Sequence, residues 1–216
     1  MTSLTALVVA KAPEPGRVKT RLGADIGMPE AAEVAAASLL DTLAACAGFE
    51  ERHVSLAGDL DRAVRRDELA AALAGWTVHP QVGDGFAARL ADAHARVPGP
   101  VVQVGMDTPH VTEALLREAA AGLATYDAVL GPAEDGGWWV LALRHPRHAA
   151  ALAAVEMSTE RTGIDTRAAL EGSGLSVGTT STLRDVDTVA DADVVAALAP
   201  QSRFAETWGR LRPSGP

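Results

Sequence analysis

The chain has two lysines, Lys11 and Lys19, and apart from its histidines every other basic side chain is an arginine. Both lysines fall in one short stretch, Lys11-Ala12-Pro13-Glu14-Pro15-Gly16-Arg17-Val18-Lys19-Thr20-Arg21, which packs four cations around two prolines and a glycine. A compact ammonium kept against so strong an arginine bias suits contact with phosphate. The stretch directly follows the apolar run Leu4–Val9, and a strand emptying into a stiff cationic loop is a common way to present a polyphosphate site. Lys11, Ala12, Pro13, Gly16, Arg17, Lys19, Thr20 and Arg21 are therefore candidate phosphate contacts. The competing reading is a solvated basic turn.

Three acidic segments could meet that loop: Met106-Asp107-Thr108-Pro109, Glu134-Asp135-Gly136-Gly137 and Arg184-Asp185-Val186-Asp187-Thr188. Each has a plain structural alternative. Asp before Thr-Pro is a frequent turn, Asp-Gly-Gly suits a hairpin, and Thr188 with Asp191 reads as a capping box. Together, on one predicted sheet edge beside the cations, they suggest a hard divalent metal bridging to phosphate oxygens. On an extended Asp185-Val186-Asp187 the two carboxylates point the same way, and Asp107 would approach from another strand. Ser158, Thr159 and Thr162 offer hydroxyls to a substrate and equally suit helix capping. Trp138 and Trp139 follow the double glycine, where one would line a pocket and the other pack on the sheet.

The elements that must position these groups alternate along the chain. Strands are expected at Leu4–Val9, His53–Ala57, Thr77–His79, Val101–Gly105, Ala128–Leu130, Trp138–Leu143 and Leu175–Thr179. Helices are expected at Ala31–Ala47, Arg62–Leu73, Phe86–Ala95 with Asp84 as its cap, Glu113–Leu123 with Thr112 as its cap, Thr162–Glu171 and Val189–Leu198. Such alternation predicts an α/β fold, a three-layer αβα arrangement with a mostly parallel mixed sheet, whose ligand lies at the carboxyl ends of the strands. One domain over residues 1–212 is expected, with a disordered Pro/Gly tail at 213–216.

Composition narrows the function. A formal net charge of −9 argues against a nucleic-acid partner. The single Cys46 excludes a disulfide framework and a cysteine metal cluster. The six histidines show no metal-ligand spacing, with His145 and His148 in an expected exposed turn. No apolar run nears the ~18 residues of a membrane span, and no signal segment opens the chain, so a cytoplasmic protein is expected. No Gly-x-Ser-x-Gly elbow, complete Walker loop or dinucleotide-binding glycine fingerprint occurs.

VVAKAPEPGRVKTRL, VGMDTPH, GPAEDGGWW, MSTERT and DVDT, in this order, resemble a bacterial glycosyltransferase-like family named for its association with radical-SAM and selenocysteine-domain proteins. That family lies in the nucleotide-diphospho-sugar transferase (GT-A) superfamily, and the resemblance runs from about Leu4 to Leu198. It implies a Rossmann-like GT-A fold with the Lys11–Arg21 loop at the phosphates of a nucleotide or nucleotide-sugar donor, and a small-molecule acceptor. A more distant likeness to 2-phospholactate guanylyltransferases implies Asp107, Asp185 and Asp187 as ligands to Mg²⁺ or Mn²⁺, and Gly136 and Gly137 as backbone contacts to substrate. On this basis Lys19 and Asp107 are the candidate catalytic residues, and Asp135, Gly136, Gly137, Trp138, Ser158 and Thr159 would bind substrate. Glycosyl transfer is the leading expectation. Nucleotidyl transfer to a phosphorylated small acid and a non-catalytic nucleotide-binding module are the alternatives.

Overall fold

In the computed structural model of the chain, described over residues 3–212, the first strand β1 (Thr5–Lys11) is buried on both sides. Ala6, Val8 and Ala10 face one core, while Leu7 and Val9 face the other. A continuous apolar run needs that double cover. The strands β2 (Glu51–Ala57), β3 (Thr77–Pro80), β4 (Val101–Gly105), β5 (Ala128–Pro132), β6 (Trp138–Leu143) and β7 (Val177–Thr179) join it in one sheet of order β3-β2-β1-β4-β6-β5-β7. All neighbouring pairs are parallel except those of β6, which runs antiparallel to β4 and to β5.

Leu39, Leu40 and Leu43 of α2 (Met28–Ala45), Leu69 of α3 (Arg66–Ala72) and Leu116 of α5 (Glu113–Ala121) fill one face of the sheet. Leu90 of α4 (Phe86–Ala95) and Leu170 of α6 (Thr162–Gly172) fill the other, with Leu152 from a 3-10 run at Pro146–Ala154. The αβα layering and the mostly parallel mixed sheet are as the alternation predicts. A third cluster joins Leu22 of α1 (Thr20–Ile26), Val34 of α2, Val186, Val195 of α7 (Val189–Leu198), and Phe204 and Trp208 of α8 (Arg203–Leu211). This cluster clamps two segments that carry candidate site residues, the start of α1 and Asp185-Val186-Asp187.

Several expectations are corrected. The helix expected over Arg62–Leu73 breaks into a 3-10 turn at Leu60–Arg62 and α3, with Arg65 left-handed at φ +55 between them. The Val64 amide donates to the Pro13 carbonyl at 3.0 Å instead of to a helix, which explains the break. Asp84 does not cap α4; the capping position is Gly85, with φ +85 and no side-chain cap. His145 is exposed as expected, but His148 is half-buried within a 3-10 run whose Ala149 and Leu152 are buried. Two helices escaped the sequence reading, α1 inside the cationic loop and α8 near the end. Thr112 caps α5 as expected, accepting from Leu115 N at 3.3 Å, and the Thr188–Asp191 capping box is present. The expected tail at 213–216 lies outside the described residues.

Candidate functional site

The strand order reverses between β1 and β4, where connections diverge to either side and leave a crevice at the strands' carboxyl ends. The cationic loop leaves β1 there, and Asp107 follows β4 by two residues. A cleft of about 630 Å³ opens at this edge. Lys11, Arg17, Lys19, Thr20 and Arg21 line it on the β1 side, and Asp107, Asp135, Gly137, Trp138, Ser158, Thr159, Asp185 and Asp187 on the β4–β6 side. Among the described residues, Ala12, Pro13, Gly16 and Gly136 do not line it.

Those four have other duties. The Ala12 amide donates to the Ala57 carbonyl at 2.7 Å and the Pro13 carbonyl accepts from Val64, so the base of the loop is sewn to the end of β2 and the turn beyond it. Gly16 turns the exposed tip with φ +76. Gly136, at φ +89, sits where an added Cβ would lie 2.0 Å from the Glu160 carbonyl oxygen, and its own carbonyl accepts from Gly163 N at 2.8 Å. Its small size serves contact with the protein's own backbone. Gly136→Ala should therefore cost about 2 kcal/mol, from the left-handed backbone and the displaced 158–163 turn. Urea unfolding checks this; an unchanged midpoint would show that the turn yields freely.

Lys19 is the centre of the site. It begins α1 in a left-handed conformation, φ 46 and ψ 44, a conformation costing about 1–2 kcal/mol for a residue with a side chain. That turn sends the ammonium inward, where only 5% of the side chain is exposed. Nζ lies 2.5 Å from Asp107 Oδ1 and 3.4 Å from Asp187 Oδ1, and donates to the Val186 carbonyl. Burial alone would lower the Lys19 pKa, but Asp107, Asp187 and Asp185 outweigh it and hold the pKa above the usual lysine value. Arg21 adds a looser contact, Nη1 to Asp187 Oδ2 at 3.3 Å.

The acids are placed by their backbone. Val186 is fully buried in the third cluster, which fixes Asp185 and Asp187 on either side of it. The Val186 amide donates to the Asp107 carbonyl at 3.0 Å, joining residues 79 positions apart in sequence in one short contact. Burial, with Asp107 and Asp135 nearby, pushes the Asp185 carboxyl up to about 7. Its Oδ1 is buried without a hydrogen-bond partner. Among the described residues, no three Asp, Glu, His or Cys side chains stand in a ready metal-ligand cluster.

The far wall is rigid. Gly137 N donates to Asp135 Oδ1 at 2.8 Å, and Trp138 Nε1 to Thr166 Oγ1 at 3.1 Å. Both tryptophans line the cleft, Trp139 nearly buried with Nε1 on the Ser181 carbonyl at 2.8 Å. Ser158 is left-handed at φ +64, a strained conformation at the cleft wall. The hydroxyls of Thr159 and Thr162 are engaged within their own turn: Thr162 Oγ1 accepts from Thr159 N at 3.0 Å, and Thr159 Oγ1 from Arg161 N at 3.2 Å.

Sequence reasoning missed Gln81, Phe86, Arg89, Gln103 and Met157, which also line the cleft. Gly83-Asp84-Gly85, whose Asp84 was expected only as a helix cap, was the signal for the first three: it sits where β3 ends on the ligand edge. Glu14 was missed as well. It lies in the middle of the cationic loop, yet is only 4% exposed.

The fold and the site can be set beside known proteins. A candidate nucleotide-diphospho-sugar transferase from Desulfovibrio desulfuricans G20 is 28% identical and superposes with a TM-score of 0.84, over 98% of this chain and 95% of that one. Rv0371c from Mycobacterium tuberculosis H37Rv, solved in complex with manganese, shares the fold at 24% identity and a TM-score of 0.53, over 90% and 98% of the two chains. A cytidylyltransferase from Leptospira borgpetersenii shares it at 13% identity and a TM-score of 0.60, over the full length of both. The fold is thus that of the nucleotide-diphospho-sugar transferases. Among the described residues, no helix is long and apolar enough to cross a membrane. No curated protein matches the chain in sequence. Residues 39–159, more than half of the chain, match the family described as "uncharacterized protein conserved in bacteria" (DUF2064), and the chain belongs to that family.

Proposed function

We propose that this protein is a divalent-metal-dependent transferase acting on a nucleotide-activated donor, with glycosyl transfer as the leading reaction. One observation carries the reading: a cationic loop and three aspartates from distant parts of the chain converge on a buried lysine at the switch point of the sheet. The transferase names of the D. desulfuricans and L. borgpetersenii proteins support it, as does the manganese bound by the M. tuberculosis protein. Residues 1–212 would act as one domain, working in the cytoplasm on soluble substrates.

Asp107, Asp185 and Asp187 are the residues that would hold Mg²⁺ or Mn²⁺. Their hard carboxylate oxygens suit such ions, and the partnerless buried Oδ1 of Asp185 is an acceptor that a cation would satisfy. When bound, the ion would neutralise charge on the donor's phosphate oxygens. Lys11, Arg17 and Arg21 reach the same region with their charges largely exposed. Lys19 is a fixed internal cation that keeps the three acids from repelling one another and stands ready beside a leaving phosphate. Such transfers need orientation and charge stabilisation more than a covalent nucleophile. Asp135, Gly137, Trp138, Ser158 and Thr159 would form the acceptor end.

The second reading is nucleotidyl transfer, as in a guanylyltransferase or cytidylyltransferase, and the L. borgpetersenii fold match favours keeping it. A phosphorylated acid is the less favoured acceptor. The β4–β6 side carries Asp107, Asp135, Asp185 and Asp187, and among the described residues Arg89 is the one cation outside the Lys11–Arg21 loop that lines the cleft to receive a second phosphate.

A panel of NTPs and nucleotide sugars, each with and without Mg²⁺ or Mn²⁺, tests the reading by melting temperature and product release. A true ligand at a hundredfold excess over Kd should stabilise the protein by about 2.7 kcal/mol, and only with metal. NDP release from a sugar nucleotide supports glycosyl transfer; pyrophosphate release from an NTP supports the second reading. Metal-dependent binding with no turnover would reduce the protein to a nucleotide-binding module, and no stabilisation by any of them would reject the site.

A further inference from the structure

We infer that Glu14 is a positioning residue of the cationic loop: its buried carboxylate holds Arg17 and the loop backbone in the form that meets a polyphosphate. The inference rests on the phosphate role proposed above for that loop. Glu14 is the one acid within Lys11–Arg21. Its side chain is 5% exposed, although the loop around it faces solvent. A carboxylate so placed must be compensated, and its partners come from three directions. Oε1 accepts from the Asp59 amide at 3.3 Å, beyond the end of β2. Oε2 lies 3.6 Å from Arg17 Nε and 3.4 Å from Arg62 Nε of the 3-10 turn. The backbone follows suit, with the Arg17 amide donating to the Glu14 carbonyl at 3.0 Å.

Room for this carboxylate is itself built in. Gly58, at φ +88, faces it so closely that a Cβ there would lie 2.9 Å from Oε1. Behind the loop, Glu14, Ala12 and Gly58 line a second hollow of about 280 Å³, and Lys11 and Arg17 line both that hollow and the main cleft. Glu14 therefore grips, from behind, the loop whose cations face the ligand. Residues that contact a ligand keep their geometry only when such a supporting layer locks them.

The sign of one substitution separates positioning from mere proximity. An anion close to phosphate-binding cations opposes phosphate by Coulomb's law, so removing its charge should tighten binding unless the charge also organises the loop. Glu14→Gln keeps an oxygen for the Asp59 amide and loses only the charge. With inorganic tripolyphosphate as probe, and then with the best nucleotide of the panel plus Mg²⁺, calorimetry should show affinity weakened about tenfold. The KM for that nucleotide should rise by the same factor while kcat changes less than twofold, because Glu14 does not line the main cleft. Arg62→Gln, outside the cleft lining, should leave affinity unchanged, which assigns the effect to the Arg17 pair. Gly58→Ala pushes against the carboxylate without removing it and should reproduce the loss, so the test survives if Glu14→Gln folds poorly. Unchanged or tighter binding by folded Glu14→Gln and Gly58→Ala overturns the inference alone. Wild-type protein that binds neither tripolyphosphate nor any nucleotide overturns the phosphate role of the loop, and this inference with it.

Discussion

Lys19→Ala should weaken binding of the metal–nucleotide complex by roughly 10- to 150-fold, the worth of one charge-assisted phosphate contact at about 1.5–3 kcal/mol. It should also destabilise the fold, which a solvated loop lysine would not do. The ammonium is 95% buried and is the shared counter-ion of Asp107 and Asp187, with Asp185 adding to the attraction. Removing one partner of a buried ion pair typically costs 3–5 kcal/mol; because the two paired aspartates are about half exposed, the cost here should be nearer 2 kcal/mol. A third consequence has the opposite sign. With their built-in cation gone, the carboxylates should bind Mn²⁺ more tightly than in the wild type, even as nucleotide binding falls. Lys19→Arg should not restore function, since a planar guanidinium cannot occupy the place of a compact ammonium between three acceptors. Calorimetry with Mn²⁺ alone and with the metal–nucleotide complex reads both effects. A folded Lys19→Ala that binds nucleotide as the wild type does would remove the lysine from the site.

The sequence exposed the parts of this site unevenly, for physical reasons. Strand–helix alternation was legible because buried parallel strands such as Val101–Gly105 and Leu4–Val9 are short apolar runs that little else explains. The cationic loop and the acidic segments were legible because unusual residue types cluster at strand ends. What could not be read was how the loop is used. That Lys19 turns inward depends on a left-handed backbone at a lysine, which no propensity predicts. Gly136 looked like a substrate contact, and only the fold reveals the Glu160 carbonyl filling the space beside it. The helix α8 was missed because it is short and rich in charge, with Phe204 and Trp208 as its only fully buried large side chains. Yet those two close the cluster that fixes Val186 and so aim Asp185 and Asp187. Glu14 was invisible in another way: among four cations it reads as a routine surface acid, and its burial follows from the chain crossing beneath it at Gly58 and Asp59.

In the absence of divalent metal, Asp185 should cost the protein stability as pH rises from 5 to 8, and Asp185→Asn should remove that cost. The Asp185 carboxyl titrates near 7 in the fold, against about 3.9 in an unfolded chain. Up to about pH 7 the folded state thus holds a proton that the unfolded state has released. Stability from this group is fully present below pH ~4 and is lost as pH rises through 7. The full shift corresponds to about 4 kcal/mol, of which about 2–3 kcal/mol falls between pH 5 and 8. His94 acts in the other direction. It is wholly buried, with Nε2 3.4 Å from Gln103 Oε1, and burial pushes its pKa down to about 4, so its contribution is lost as pH falls below ~6.5. Between pH 4 and 6.5 the two slopes oppose each other, and the wild-type profile alone would look deceptively flat. The difference between wild type and Asp185→Asn is the clean measure, because His94 is common to both. Urea unfolding in EDTA across this range should show the variant gaining about 2–3 kcal/mol on the wild type between pH 5 and pH 8. Adding Mn²⁺ should reverse the order at pH 8, since the ion stabilises the ionised carboxylate and the amide cannot replace it as a ligand. Parallel pH profiles for the two proteins in EDTA would mean that Asp185 is ionised in the fold without penalty. The electrostatic crowding of Asp107, Asp135, Asp185 and Asp187, on which the metal site depends, would then be wrong.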